Sequence, residues 1–290
     1  MSVDGQIGLT IARFSTGYVM PASTLATTTT TTTTIPASSP SSCRHLETDA
    51  YPRHACATRP IQIYLGGSFD PVHNSHLAVL AHVYQHLHIA KPSSKLSAYF
   101  MPTSRSPLKD NSSRPEHRMA MLQLAIDEMT AAKAQTAISP ADFGICDHEI
   151  WQTPPTYSID TLRALRQANP EASLVFVIGA DNVQSLPQWR DGDRLIEFAH
   201  LWVIPRDHLQ THQHIANLLP NKLKSALTEH IEDLKYAAKG HIYIDSHRVD
   251  PISSSAIRQA ITEGSFDIAK SALPRSVYSY IMKNNLYHSY

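Results

Sequence analysis

A short apolar alternation, Ile61-Gln62-Ile63-Tyr64-Leu65, runs directly into Gly66-Gly67-Ser68-Phe69-Asp70-Pro71-Val72-His73-Asn74-Ser75-His76, and this stretch constrains the fold more than any other. The alternation has the period of a β-strand. Leu77, Leu80, Ala81, Tyr84 and Leu87 then recur as one face of an amphipathic helix. Two glycines leaving a strand let backbone N–H groups come close to a ligand, because no Cβ intervenes. His73 and His76, three residues apart, fall on one face of the helix's first turn, where the free N–H groups and the helix dipole favour anions. Strand, glycine turn, helix start and paired imidazoles together describe a site for phosphate chemistry.

From Pro60 onward strand-like and helix-like segments alternate. Ser97–Met101 reads as a second strand ending at Pro102, followed by a polar loop, Thr103 to Ser113. A helix starts near Pro115-Glu116, with Met119, Leu122, Ile126 and Met129 expected on its core side. Residues 142–150 are a strand candidate, and Ser158 reads as the N-cap of a helix carrying Ile159, Leu162 and Leu165. Leu174–Ile178 and Leu201–Ile204 are continuous apolar runs, as expected of strands covered on both faces, and His241–Ile244 is a shorter one. Helices are expected from Ser253, near Asp267 and near Arg275. The pattern predicts an α/β fold: a Rossmann-like, doubly wound, mostly parallel sheet with helices on both faces.

Residues 1–58 differ. Eight consecutive threonines, Thr27 to Thr34, precede a Pro/Ser-rich run to Ser42, a composition unable to bury enough apolar surface to offset ordering. The expectation is a disordered extension over 1–58 and a catalytic domain over 59–290. A targeting segment is the lesser reading, since Asp4, Glu47 and Asp49 interrupt it and it holds no long apolar core. Formal net charge is zero, with 25 basic and 25 acidic residues, which argues against a nucleic-acid partner bound through a basic surface. No apolar run approaches spanning length, so no membrane partner is expected. Three cysteines without a C-x-x-C pair argue against a disulfide framework or a zinc site and fit a cytoplasmic protein. A homo-oligomer is left open.

Ligands of open parallel sheets bind beyond the carboxyl ends of the strands. Four segments are placed there: Gly66 to His76, Pro102 to Lys109, Gly179 to Asp181 and Ile252 to Arg258. An isolated H-x-x-H is ordinarily two polar residues at an exposed helix start, and as a zinc site it supplies only two ligands. After strand and glycines the phosphate reading gains, because imidazole N–H groups can stabilise charge on a pentavalent phosphorus and its leaving oxygen. Ile252-Ser253-Ser254-Ser255-Ala256-Ile257-Arg258 is either an ordinary capped helix start or an anion cradle; taken alone, the two readings balance. Gly179-x-Asp181 suits a turn with a capping aspartate, or an aspartate accepting from ribose hydroxyls or positioning magnesium. Trp189, in the polar segment Leu186–Arg190, could stack on a planar ligand, and Thr156-Tyr157-Ser158 could offer N–H groups to a carboxylate.

The segment Gly66–His76 closely resembles the G-G-[ST]-F-D-P-[VI]-H-x-G-H signature of the nucleotidyltransferase α/β-phosphodiesterase superfamily and, more narrowly, of the bacterial nicotinate-nucleotide adenylyltransferases. The resemblance continues through Met101-Pro102, Arg118–Leu122, Pro155–Ser158, Phe176–Asp181, Pro187–Trp189, Ala199–Leu201 and Ile252–Arg258, covering 60–287. It implies adenylyl transfer from ATP to nicotinate mononucleotide, giving deamido-NAD and pyrophosphate, with Mg²⁺ travelling with the ATP. By resemblance His73, His76 and Arg258 are catalytic; Gly66, Gly67, Ser68, Phe69, Gly179, Asp181, Ile252, Ser253, Ser254 and Ser255 bind ATP; and Thr103, Lys109, Thr156, Tyr157 and Trp189 bind the nicotinate nucleotide. No resident metal is implied. Two departures stand out: Ser75 replaces the glycine between the histidines, and Pro107-Leu108-Lys109 replaces Pro-His-Lys. Alternatives are a sibling acting on nicotinamide mononucleotide or phosphopantetheine, and a catalytically impaired nucleotide-binding regulator.

Overall fold

The first strand, β1 (Ile61–Gly67), lies at the middle of a seven-stranded sheet whose pairings are all parallel. This computed structural model describes residues 59–90, 95–104, 113–132, 142–206, 211–247 and 252–288, all within one compact unit spanning 53–290. The expectation for residues 1–58 and the role assigned to Lys109 lie outside the described residues.

After β1 come α1 (Asn74–Ala90), β2 (Leu96–Pro102), α2 (Pro115–Ala132), β3 (Phe143–Ile145), α3 (Ser158–Ala168), β4 (Ser173–Gly179) and α4 (Ala180–Ser185). The chain continues through β5 (His200–Ile204), α5 (His212–Leu218), α6 (Asn221–Lys224), β6 (Leu227–Thr228), α7 (Asp233–Tyr236), β7 (Ile242–Ile244), α8 (Ser254–Thr262), α9 (Phe266–Ala272) and α10 (Arg275–Lys283). The strand order is β3-β2-β1-β4-β5-β7-β6. Strand order therefore reverses between β1 and β4, and the carboxyl ends of these neighbours open a crevice, the usual ligand position in such sheets.

The doubly wound character follows from strand periodicity. Ile61, Ile63 and Leu65 of β1, Val175 and Val177 of β4, and Trp202 and Ile204 of β5 point into one core with α1, α2, α8 and α10. Tyr64, Leu174, Phe176, Ile178, Leu201 and Val203 point into a second core with α3 and α4. Two-residue alternation thus divides each central strand between two apolar layers, which is why the runs read as unbroken hydrophobes. The face predicted for α1 is the buried one: Leu80 and Leu87 are fully enclosed, each contributing about 2 kcal/mol by removal from water.

Three local expectations change. On α2 the buried stripe is Arg118, Met121, Leu122, Ala125, Ile126 and Met129, while Met119 is only half-buried; an arginine holds a core position that hydrophobic counting passes over. The strand expected over 142–150 is confined to Phe143–Ile145, and residues 148–150 form a turn, because β3 is an edge strand pairing only with Ala98–Phe100. The N-cap of α3 is Tyr157 rather than Ser158, and no side chain caps it.

Candidate active site

His73 immediately precedes α1, and its carbonyl accepts from the N–H groups of His76 (2.9 Å) and Leu77 (3.3 Å), so it is the helix N-cap. His76, three residues on, answers reciprocally: its Nδ1 accepts from the His73 N–H at 3.3 Å. This is the hydrogen-bonding logic of a capping box, with imidazole in place of the usual Glu or Gln. It also sets the tautomer: with Nδ1 accepting, the proton of neutral His76 sits on Nε2. The two rings stack, centroids 3.6 Å apart, and the Phe69 ring meets His76 edge-on at 4.9 Å.

Both imidazoles are held uncharged. Burial, followed by the charge of Arg206, pushes His73 down to about 4. Burial, then His73 and Arg206, keeps His76 well below the ordinary histidine range. The His73 Nδ1 is buried without a hydrogen-bond partner. An orphaned polar atom costs stability unless something completes it.

A cavity of about 460 Å³ opens over these rings at the crevice between β1 and β4, within the size range of small-ligand sites. From the end of β1 it is lined by Gly66, Gly67 and Ser68, and from the end of β2 by Thr103. From the end of β4 it is lined by Gly179 and Asp181, and from the start of α8 by Ile252, Ser253, Ser254, Ser255 and Arg258. Trp189 closes another side, its indole N–H donating to Ser185 Oγ at 3.1 Å. All four strand-end segments therefore converge, apart from the part of the Thr103 loop that is not described.

The cradle at α8 is already tied to the turn after β1. Ser253 Oγ caps α8 by accepting from the Ala256 N–H at 3.1 Å. Ser254 Oγ donates to the Pro71 carbonyl at 2.9 Å. Arg258 Nη1 donates to the Asp70 carbonyl at 2.6 Å, and its Nη2 to Ser255 Oγ at 3.3 Å. The phosphate-binding candidates from the two ends of the domain sequence are thus one hydrogen-bonded assembly.

Three assigned residues do not line the cavity. Phe69, with φ 48°, turns its ring into the core, fully buried beneath His76. Thr156 spends its hydroxyl on Ser104 Oγ at 2.8 Å. Tyr157 lies outside, with the Arg190 guanidinium 4.8 Å above its ring, whereas the next residue, Ser158, does line the cavity. Gly66 and Gly67 line the cavity and also pack against rings beneath the turn. A Cβ on Gly66 would approach Phe176 to 3.0 Å, and one on Gly67 would approach Phe69 to 3.0 Å, so each ring would have to give by a few tenths of an ångström. Close approach to a polar group operates instead at Gly179, whose Cβ would lie 2.2 Å from Asp181 Oδ1 and 2.8 Å from Arg206 Nε.

Sequence reasoning missed Arg206 and Asn182, both at the cavity wall. Arg206 lies 3.4 Å from Asp181 and follows β5, so the strand-end rule applied to Ile204-Pro205-Arg206 would have found it. The supporting role of Arg118 was also hidden. Its guanidinium, 2% exposed, donates to the carbonyls of Ser68 (2.9 Å) and Thr103 (2.8 Å), clamping the loops after β1 and β2 together. Among the described residues no cluster of three or more His, Cys, Asp or Glu side chains could hold a metal ion. The cavity's one carboxylate among them, Asp181, is drawn to Arg206.

A parallel sheet with helices on both faces and a polar crevice at its strand-order reversal defines a Rossmann-like, doubly wound α/β protein. The sequence profile of the cytidylyltransferase-like family matches residues 64–260, and the chain belongs to that family. Among solved structures it is similar to the Plasmodium falciparum nicotinic acid mononucleotide adenylyltransferase complexed with NaAD. That match has 19% identity and a TM-score of 0.59, covering 79% of this chain and 98% of the other. The same Plasmodium protein complexed with APC aligns at 19% identity and a TM-score of 0.57, over 79% and 98% of the two chains. At that identity the likeness speaks to the fold. No helix among the described residues is long and apolar enough to cross a membrane.

Proposed function

We propose that the chain transfers the adenylyl group of ATP to nicotinate mononucleotide, giving deamido-NAD and pyrophosphate. One observation carries the reading: the imidazoles at the start of α1, the hydroxyls and guanidinium at the start of α8, and Trp189 all face one cavity. The Plasmodium proteins of similar fold, solved with NaAD and with APC, support it.

In this reading a phosphate oxygen of nicotinate mononucleotide attacks the α-phosphorus of ATP. The new O–P bond forms as the bond to the bridging oxygen of pyrophosphate breaks. Charge builds on the oxygens around the α-phosphorus and on the departing group. His76, its Nε2 proton set by the capping bond, and His73 donate N–H groups there from positions fixed before the reaction. Arg258 and the hydroxyls of Ser253 to Ser255 hold the outer phosphates. Asp181 and Gly179 face the adenosine. Trp189 stacks on the pyridine ring. The uncapped start of α3, which reaches the cavity at Ser158, offers N–H groups to the pyridine carboxylate, with Thr156 and Tyr157 shaping that turn. Mg²⁺ enters as part of the ATP substrate. No covalent intermediate is required, consistent with the absence of a nucleophile–base pair among the described residues lining the cavity.

The test is pyrophosphate release by the purified chain with ATP, Mg²⁺ and nicotinate mononucleotide, nicotinamide mononucleotide or phosphopantetheine. The acid mononucleotide should turn over fastest. Failure with every acceptor would overturn the enzyme reading, and preference for the amide would overturn the carboxylate role of residues 156–158. The activity is assigned to residues 59–290, so a chain lacking 1–58 should keep its turnover.

A further inference from the structure

Asp70 is the hinge point of the phosphate end, and what holds it comes from the far end of the fold. Its carbonyl accepts from Arg258 Nη1 at 2.6 Å, and the next carbonyl, that of Pro71, accepts from Ser254 Oγ at 2.9 Å. The orientation of this turn therefore sets where two cradle side chains can point. The Asp70 side chain is 2% exposed. Its Oδ2 accepts from the Ser113 N–H at 3.0 Å, and its Oδ1 from the Tyr287 hydroxyl at 2.6 Å. A buried carboxylate depends on its donors, because each lost bond leaves an acceptor in a site that water does not reach.

Tyr287 reaches Asp70 by a specific chain path. After α10, Leu286 N–H donates to the Ile281 carbonyl at 3.1 Å, and Asn285 and Tyr287 both adopt left-handed backbone, φ 50° and 66°. Side-chain-bearing residues rarely take that conformation, and here it turns the tyrosine back over the fold. The Tyr287 carbonyl then accepts from Thr262 Oγ1 at 2.8 Å, at the last residue of α8. One residue thus grips α8 at its C-terminal end directly and at Arg258 through Asp70.

We propose that Tyr287 is a positioning residue for ATP: its hydroxyl fixes the Asp70–Pro71 turn and, through it, the Arg258 guanidinium that receives the outer phosphates. The proposal rests on the adenylyl-transfer reading above. It predicts a defect confined to the ATP side, because Trp189 and the start of α3 belong to other elements.

The experiment uses the full chain. Tyr287→Phe keeps the ring and removes the hydroxyl. It should raise KM for ATP about tenfold, the worth of one hydrogen bond to a charged group, with KM for nicotinate mononucleotide unchanged. In an Arg258→Ala background the same change should cost less than about twofold, since the group it positions is gone. Thr262→Val removes the bond to the Tyr287 carbonyl together with the one Thr262 Oγ1 makes within α8 to the Arg258 carbonyl at 3.0 Å. It should shift KM for ATP in the same direction by less, and it carries the test if Tyr287→Phe does not fold. Wild-type kinetics in Tyr287→Phe, an equal rise in both KM values, or full additivity with Arg258→Ala would each overturn the proposal. Absence of ATP binding and turnover in the unmodified chain would instead overturn the reading beneath it.

Discussion

At the phosphate end of the cavity the functional side chains leave helix starts that are tied to one another: His73 and His76 by reciprocal capping, and Arg258 and Ser254 by bonds to the turn after β1. At the tryptophan end the candidates are set by separate elements. Thr156 is spent on Ser104, Tyr157 lies under Arg190, and Trp189 is held by a serine one turn away. The difference matches what each end is proposed to recognise. Charge developing on phosphorus needs donors fixed before the reaction, whereas a flat ring needs a surface and tolerates adjustment.

The comparison is sharpest at His76. In the proposed reaction it is a transition-state donor, so on His76→Ala kcat should fall by about 10² to 10³-fold, with KM for ATP changing far less. Steady-state kinetics with a thermal melt checks this; near-normal kcat would remove the imidazoles from the chemistry.

Acid should strike the phosphate end next. The unfolded chain takes up protons near the ordinary histidine value of ~6.5. His73 resists until about 4 because of burial and Arg206, and His76 also titrates well below the usual range. Buried His200, in β5, likewise resists until about 4. Between those limits the unfolded state binds more protons, so stability is full above pH ~7 and declines as pH falls, by up to ~1.4 kcal/mol per pH unit for each such histidine. Urea unfolding at a series of pH values measures the slope. A saturating non-hydrolysable ATP analogue should flatten the share due to His73 and His76 and leave that of His200. An unchanged slope would mean that phosphate does not reach the imidazoles.

At the other end, Trp189→Ala should raise KM for the pyridine nucleotide about tenfold, an ordinary worth for stacking on an aromatic ring, and leave KM for ATP unchanged. Equal loss for both substrates would place the indole in packing instead. The smallest effect is expected for Tyr157→Phe, less than about twofold on the acid-over-amide ratio, because its side chain faces Arg190 rather than the cavity. A large change in that ratio would return the hydroxyl to the site.

Much of the phosphate end is legible locally. Glycines after a strand, histidines one turn apart and serines before an apolar helix each occupy a few consecutive residues, and parallel-sheet topology gathers strand ends by rule. What escapes local reading is informative. Arg118 carries no local signal of burial, yet it occupies the buried stripe of α2, where its guanidinium meets two loop carbonyls. Phe69 sits inside the signature, yet its ring serves the core beneath His76. Ser75, the residue that departs from the signature glycine, lines the cavity beside the histidines.

By itself the sequence determined the alternation of the main strands and helices and the covering of the central strands on both faces, because periodicity, glycine turns and helix starts are properties of neighbouring residues. It did not show α4 or the short elements α5, α6, β6 and α7 between β5 and β7. Only the tertiary structure decided which way Phe69, Thr156 and Tyr157 face, that Arg206 meets Asp181, and that Tyr287 closes on Asp70 across 217 residues of chain. Those contacts join residues with no sequence proximity, and their energies exist only once the sheet has brought its strand ends together.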